Sequence, residues 1–404
     1  MYLTDEEKKM LDGVRGEATR LAMQILTRIG EAYGAERLVE IKSAHADAVY
    51  PHLIAGVELM EKFADLGAKF QVPTTGNPAP RNFDLWEESP KSSELMRNAA
   101  RKIKALEEMG AIPNWSCTPY FQGNVPRFGE CVSWIESSAI TFANSVLGAR
   151  TNRTTMGVEV ATAITGRTPE FGLLLDQNRA GNILVRLETR PKTLFEFGTL
   201  GWAIGDVVSG KLPVIDRLPP LTTANQLKVM GAAAASRGSV PLYHAVGITP
   251  EARTLEEAFG GKKSEYEIKI GEKDIEAAME KINTAENGTI DAVLMGCPHP
   301  RPEEIKELAY LLKGRKVRES IRFCLFASSD VVNWCRKMGY IDVINAAGVK
   351  IFEGDCIVSY PVRAWGWKNI ATNSATFANI LPSDPWYVGV LYADTKRCVD
   401  LGTT

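Results

Sequence analysis

Between residues 290 and 352 short apolar runs alternate with amphipathic stretches, and no other sequence feature limits the fold of this chain so strongly. IDAVLMG (290–296) reads as a buried strand, and Pro302, Glu303 and Glu304 open a helix that ends before Gly314. IRFCLFAS (321–328) is a second strand, Asp330 starts the next helix, and VKIF (349–352) is a third strand. Strands that are apolar throughout and joined by helices predict a parallel sheet covered on both faces. The rhythm recurs upstream. Thr4 and Glu7 fit a capping box ahead of a helical pattern over 4–33, and RLVEIKSAH (37–45) alternates like a strand. A helix is expected at 53–67, a strand at 68–72, helices at 92–109, 132–147 and 224–236, and an irregular loop at 112–130. The fold class is α/β with mostly parallel sheets.

A chain of 404 residues exceeds what one hydrophobic core usually organises. The proline-rich stretch KLPVIDRLPPLTT (211–223) is the expected boundary, giving lobes at 1–215, 216–285 and 286–404. A net charge of −2 argues against a general nucleic-acid or anionic-membrane surface. No run of apolar residues is long enough to predict a membrane span, and MYLTDEEKKMLDGVRGEA lacks the apolar core of a secretion signal. A cytoplasmic protein whose cysteines are thiols is expected.

The seven cysteines contain no C-x-x-C pair, which excludes zinc-ribbon, thioredoxin and ferredoxin spacings. Cys324 lies in an apolar strand and Cys335 in an amphipathic helix, so both read as packing residues, and Cys131 and Cys398 have no distinguishing setting. Cys117 lies in the loop WSCTPYFQG, Cys297 comes after a strand in MGCPHP, and Cys356 comes after a strand in EGDC. Open α/β sheets collect ligands at the carboxyl ends of their strands. Three thiolates from distant loops can hold an iron–sulfur cluster and leave one iron open as a Lewis acid.

Seven segments extend this reading: LTDEEKKMLDGVRGEATRLAMQIL at the start, SCTPY (116–120), ESSAITFANSVLGARTNR (136–153), YHAVGITPEA (243–252), GCPH (296–299), GDC (354–356) and NSATFAN (373–379). Together they resemble the aconitase X family over nearly the whole chain. The resemblance implies an aconitase-like fold of three α/β lobes around a central cleft, without the swivel domain, which would be a separate small subunit. It implies a hydro-lyase with a 4Fe-4S or 2Fe-2S cluster on Cys117, Cys297 and Cys356. The substrate would be a small 3-hydroxy acid such as cis-3-hydroxy-L-proline or mevalonate 5-phosphate. A non-catalytic relative that keeps the fold is the alternative.

Dehydration of such an acid needs a base for the carbon-bound proton and donors for the carboxylate. Glu136 with Ser137, together with His45 and His299, are the catalytic candidates, His299 doubling as a donor to a cluster sulfur. Thr74, Thr75 and Asn77 form a polar turn suited to a carboxylate, and Asn144 and Ser145 offer further donors. Arg150 and Arg153 flank Asn152 and carry the planar fork that grips a carboxylate. The family pattern is broken by Gly76 and NPAPRN after PTT, by Thr154, Thr155 and Met156 after TNR, and at Leu173 or Leu174.

Overall fold

The Thr4–Glu7 capping box forms as its spacing predicts, starting the helix Asp5–Leu11. A turn then separates it from Glu17–Ala32, so the 4–33 pattern is two helices. The structure, a computed structural model, describes residues 1–80, 92–286, 289–360 and 362–404. The first lobe contributes β1 (Leu38–Glu40), β2 (Ala44–Ala46), β3 (Thr74–Gly76), β4 (Ser133–Trp134) and β5 (Arg167–Pro169). RLVEIKSAH therefore gives two strands. Between them Ile41 and Lys42 turn to donate to the carbonyls of Gly166 and Cys131, which moves the chain from the β1–β5 ribbon into a parallel sheet ordered β3-β2-β4.

Two other expectations shift. Phe70 and Gln71 bond to Met109 and Ala163 outside any sheet, and the strand expected at 68–72 forms at 74–76 instead. The helix expected at 132–147 is a short strand succeeded by the helix Ser137–Ser145, because the Glu136 carboxylate accepts from the Ala139 N–H and caps the helix there.

The middle sheet runs β8-β7-β6-β9, all parallel, from β6 (Ile183–Leu187), β7 (Pro213–Asp216), β8 (His244–Ala245) and β9 (Tyr266–Ile270). The boundary expected at 211–223 falls inside this sheet. β6, expected in the first lobe, is hydrogen-bonded to both β7 and β9. The third lobe holds β10 (Ala292–Met295), β11 (Arg322–Ala327), β12 (Lys350–Glu353), β13 (Asn369–Thr372) and β14 (Gly389–Tyr392), parallel and ordered β12-β11-β10-β13-β14. Alternate residues enter separate cores. Leu294 and Phe326 pack on one face, and Val293, Met295, Phe323 and Leu325 on the other. The order reverses between β10 and β13, which opens a crevice at their carboxyl ends.

The first and third lobes meet along those carboxyl edges. Ala79 N–H donates to Gly354 (2.8 Å), and Ser359 Oγ donates to the Val49 carbonyl (2.7 Å). Behind this seam Lys102 pairs with Asp47, their side chains 0% and 3% exposed, and burial beside Asp47 raises the neighbouring Glu159 carboxyl to about 7. Removing the cation alone strands buried carboxylates. Lys102→Met should cost about 3–5 kcal/mol in urea unfolding, and adding Asp47→Asn should recover part of that loss.

Candidate functional site

Three cysteines arrive in one place by three routes. The chain after β3 forms a bridge between Thr75 and Ile112, and Ser116 N–H donates to Gly76, which brings Cys117 to the carboxyl edge of the first sheet. Trp115 lies flat against that edge. A Cβ at residue 76 would sit 2.2 Å from Trp115 Cζ3, so Gly76 is glycine because the indole needs its space. Cys297 comes after β10 at the point of strand reversal. Gly296 before it has φ of 106°, and a Cβ there would be 1.9 Å from the Phe326 carbonyl, so no other residue delivers Cys297 along this path. Cys356 lies just beyond β12, where its own N–H is held by Asp355 Oδ1 (2.7 Å).

His299 ties the three loops together. Its Nε2 lies 2.9 Å from the Asp355 carbonyl, which can only accept, so Nε2 carries the proton and Nδ1 accepts from Ser116 Oγ (3.1 Å). Its backbone N–H donates to Cys117 Sγ (3.2 Å). The ring is buried, and burial lowers its pKa to about 4. Both nitrogens are occupied and the ring is neutral. His299 was expected to be catalytic, but this geometry makes it the clamp that positions Cys117, Cys297 and Cys356.

The three thiols share one environment. Cys117, Cys297 and Cys356 are partly accessible, whereas Cys324, Cys335 and Cys398 are buried. Cys131, also partly accessible, stands apart in the first lobe, where Arg150, Glu170 and Arg179 are the charges that act on it. Burial pushes the Cys117 thiol up to about 12 and raises Cys297 and Cys356 well above the usual range, and Cys356 and Cys117 further raise Cys297. The influence of each thiol's charge on the others places the three near one another. A cavity of about 740 Å³ opens at the carboxyl ends of β10, β13 and β14 with Cys297 and Ser374 on its wall, a size that small ligands occupy. Ser374 donates to the Cys297 carbonyl (2.5 Å).

Glu136 lies near all three thiols, since its charge acts on each of them. Burial raises its own pKa, opposed by hydrogen bonds from Ser138 and the Ala139 N–H. Ser137 Oγ lies 3.4 Å from the same carboxylate and serves to orient it. Tyr50, at the end of the loop after β2, has a phenol raised by burial and by Asp47, Cys356 and Glu136, and nothing in its sequence setting singled it out.

His45, also expected to be catalytic, is fully buried, and burial lowers its pKa to about 3. Its Nδ1 bonds to Thr75 Oγ1 (2.8 Å), which also accepts from Asn124 (3.0 Å), and its Nε2 and Asn77 Oδ1 have no hydrogen-bond partner among the described residues. Thr74 Oγ1 is committed to the Val72 carbonyl (3.0 Å).

The ANSVLGARTNR motif does something other than what was expected. Asn144 is wholly buried, with its amide donating to Thr151 and Pro241 and its carbonyl accepting from Thr151 and Arg179. Ser145 accepts from Tyr243 N–H (2.8 Å), and Asn152 bonds to Phe171 and Leu173. Arg150 pairs with Asp176 (2.5 Å) and approaches Glu251 (4.0 Å). Asn144, Ser145 and Arg150 reach across the seam between the first and middle lobes, while Asn152 bonds within the first lobe. The hub of that seam is Arg179, 3% exposed, which grips Glu251, Asn144 and Leu173. Arg153 alone of the motif's arginines is exposed, with no ion pair among the described residues. In the altered stretch after PTT, residues 81 and 82 lie outside the described residues.

No group of three His, Cys, Asp or Glu side chains among the described residues is arranged around a single metal ion. The donor set fits a cluster instead. Each thiolate would bind a different iron, sulfur suits iron–sulfur chemistry, and N–H donors already point at the sulfurs from His299 to Cys117 and from Val358 to Cys356.

Profiles described as Aconitase X first, second and third domain match residues 1–177, 181–280 and 290–404. The chain belongs to the aconitase X family. It is 40% identical to the phosphomevalonate dehydratase large subunit of Methanocaldococcus jannaschii, over 95% of this chain and 96% of that one. It is 35% identical to cis-3-hydroxy-L-proline dehydratase of Pseudomonas aeruginosa, over 98% of this chain and 68% of that one. The crystal structure of Thermococcus kodakaraensis aconitase X in its holo-form superposes over 100% of both chains with a TM-score of 0.89 at 35% identity. The aconitase-like fold expected from the family resemblance is the fold of this chain.

The His45 ring gives a pH test. Its folded pKa of about 3 lies below the unfolded value near 6.5, so its contribution to stability is full above about pH 6.5 and is lost as pH falls toward 3. The stability advantage of wild-type over His45→Gln should shrink by up to about 1.4 kcal/mol per pH unit across that window, as read by urea unfolding at stepped pH.

Proposed function

We propose that this chain is the large subunit of an iron–sulfur-dependent hydro-lyase acting on a small 3-hydroxy carboxylic acid. The observation that carries the reading is that Cys117, Cys297 and Cys356, from three loops distant in sequence, lie close enough to act on one another's charge, while His299, two residues after Cys297, binds both the Cys117 sulfur and the loop of Cys356. Relatives that match across almost the whole chain are dehydratases, which favours this reading over a non-catalytic one. The chain works in the cytoplasm, where thiols stay reduced. No helix among the described residues is long and apolar enough to cross a membrane.

The three cysteines would hold the cluster, of the 4Fe-4S or 2Fe-2S type, which when bound supplies an electrophilic iron to polarise the substrate hydroxyl. Their raised thiol pKa values mean that cluster assembly releases protons into the site. Glu136 is the base for the carbon-bound proton: burial raises its carboxyl pKa above the usual carboxylate range, and donors from the helix start fix its direction. Arg153 offers a bidentate fork for the substrate carboxylate, and His45 Nε2 and Asn77 supply further polar contacts from the first lobe. Cis-3-hydroxy-L-proline and mevalonate 5-phosphate define the substrate class.

The partner is a separate small subunit with a swivel domain. Relatives that match across almost the whole chain are named large subunits, which supports a small-subunit partner.

The test is anaerobic purification with the small subunit, then iron and sulfide analysis and assays on both acids. Wild-type should carry iron and sulfide and dehydrate one of them, while the triple variant Cys117→Ser, Cys297→Ser, Cys356→Ser should carry neither. Glu136→Gln should keep the cluster and lose about 10²–10⁴-fold in kcat. A cluster retained in the triple variant would refute the assignment.

A further inference from the structure

Lys228 lies in the helix Ala224–Gly238, where its side chain is 0% exposed among alanines and large apolar residues. A buried ammonium is costly unless it is paired and hydrogen-bonded. Its Nζ donates to the His299 carbonyl (3.1 Å) and to Glu304 Oε1 (2.9 Å). The contact crosses lobes, from a helix of the middle lobe to the third-lobe loop that carries Cys297.

Holding that loop does not by itself require a charge. Glu304 is already occupied, since the same oxygen accepts from Arg301 N–H (2.9 Å) and Asn225 (3.1 Å) at the start of the helix Pro302–Leu312. A neutral donor at 228 would satisfy the His299 carbonyl. What a cation adds is a field, and Nζ sits on the carbonyl of the same residue whose N–H meets Cys117 Sγ. The carboxylate beside the cysteines adds to the negative charge there, since Asp355 Oδ1 holds the Cys356 N–H. Three thiolates and bound sulfides would add more negative charge in a poorly solvated space, where a fixed charge acts strongly.

We infer that Lys228 is the counter-charge of the occupied cysteine site, placed by the middle lobe to hold the His299 loop and to raise the reduction potential of the bound cluster. Charge and hydrogen bonds near the sulfurs set such potentials. Lys228 touches no ligand sulfur and is a positioning residue. The inference rests on the iron–sulfur reading.

The experiment uses the full chain with its small subunit, reconstituted anaerobically with iron and sulfide. Lys228→Gln keeps a donor without the charge, and Lys228→Arg keeps the charge. A reductive titration read by electron paramagnetic resonance should give a more negative midpoint for Lys228→Gln than for wild-type, with Lys228→Arg restoring most of it. Iron should bind the Gln variant roughly 10–100-fold more weakly in chelator competition. If Lys228→Gln fails to fold by circular dichroism, Glu304→Gln, which leaves the cation unpaired, should shift the midpoint the other way, to a less negative value, and an unchanged midpoint there overturns the inference. A Gln variant with the wild-type midpoint and iron retention overturns the inference alone. Wild-type protein that takes up no iron and sulfide overturns the cluster reading and this inference with it.

Discussion

The site depends on one neutral imidazole. His299 gives its Nε2 proton to the Asp355 carbonyl, accepts from Ser116, and sends its backbone N–H to Cys117, so one residue joins the loops of Cys117, Cys297 and Cys356. Burial keeps the ring neutral and thereby keeps one nitrogen an acceptor. A protonated ring would have two donors, and Ser116 Oγ would have to turn from donor to acceptor and give its own proton to Thr118 Oγ1. Lys228 behind it and Asp355 beside it, the latter also holding Tyr360, anchor the clamp in turn.

The three lobes contribute different things. The first presents Cys117, Glu136, His45 and Asn77 from the carboxyl edge of a small sheet, and the third presents Cys297 and Cys356 from a larger one, with the cavity at its strand reversal. The middle lobe sends Lys228 into the third and meets the first through Arg179, Asn144 and Ser145. Part of the long ANSVLGARTNR motif thus lies at the junction of the first and middle lobes. Displacements there would reach Glu136 through the helix Ser137–Ser145, whose N-terminus is capped by Glu136 and whose last residues are in the junction.

Much of this was legible in the sequence because the signals were local. The third-lobe strands are apolar runs between helix-start residues. Cys117, Cys297 and Cys356 were separated from the other four cysteines by their places in loops, two of them just beyond strand ends. The shifts came where contacts between lobes decide. Asn144 and Ser145 have the chemistry of a binding site, and only the packing of a second lobe reveals the bonds they make to Pro241 and Tyr243. His299 was singled out beside Cys297, but its role depends on Asp355 and Ser116, far away in sequence. Lys228 left one trace, a lone lysine in the alanine-rich helix NQLKVMGAAAA. Gly76, where the chain departs from the family pattern, is explained by the Trp115 ring.

The convergence of the three thiols is the central claim, and diffraction tests it most directly. Crystals grown anaerobically and measured at the iron absorption edge should show anomalous density within bonding distance of the sulfurs of Cys117, Cys297 and Cys356, with His299 bonded to Ser116 and Asp355 and to no iron. Density held by any of the other four cysteines, or an iron bound to His299, would contradict the account.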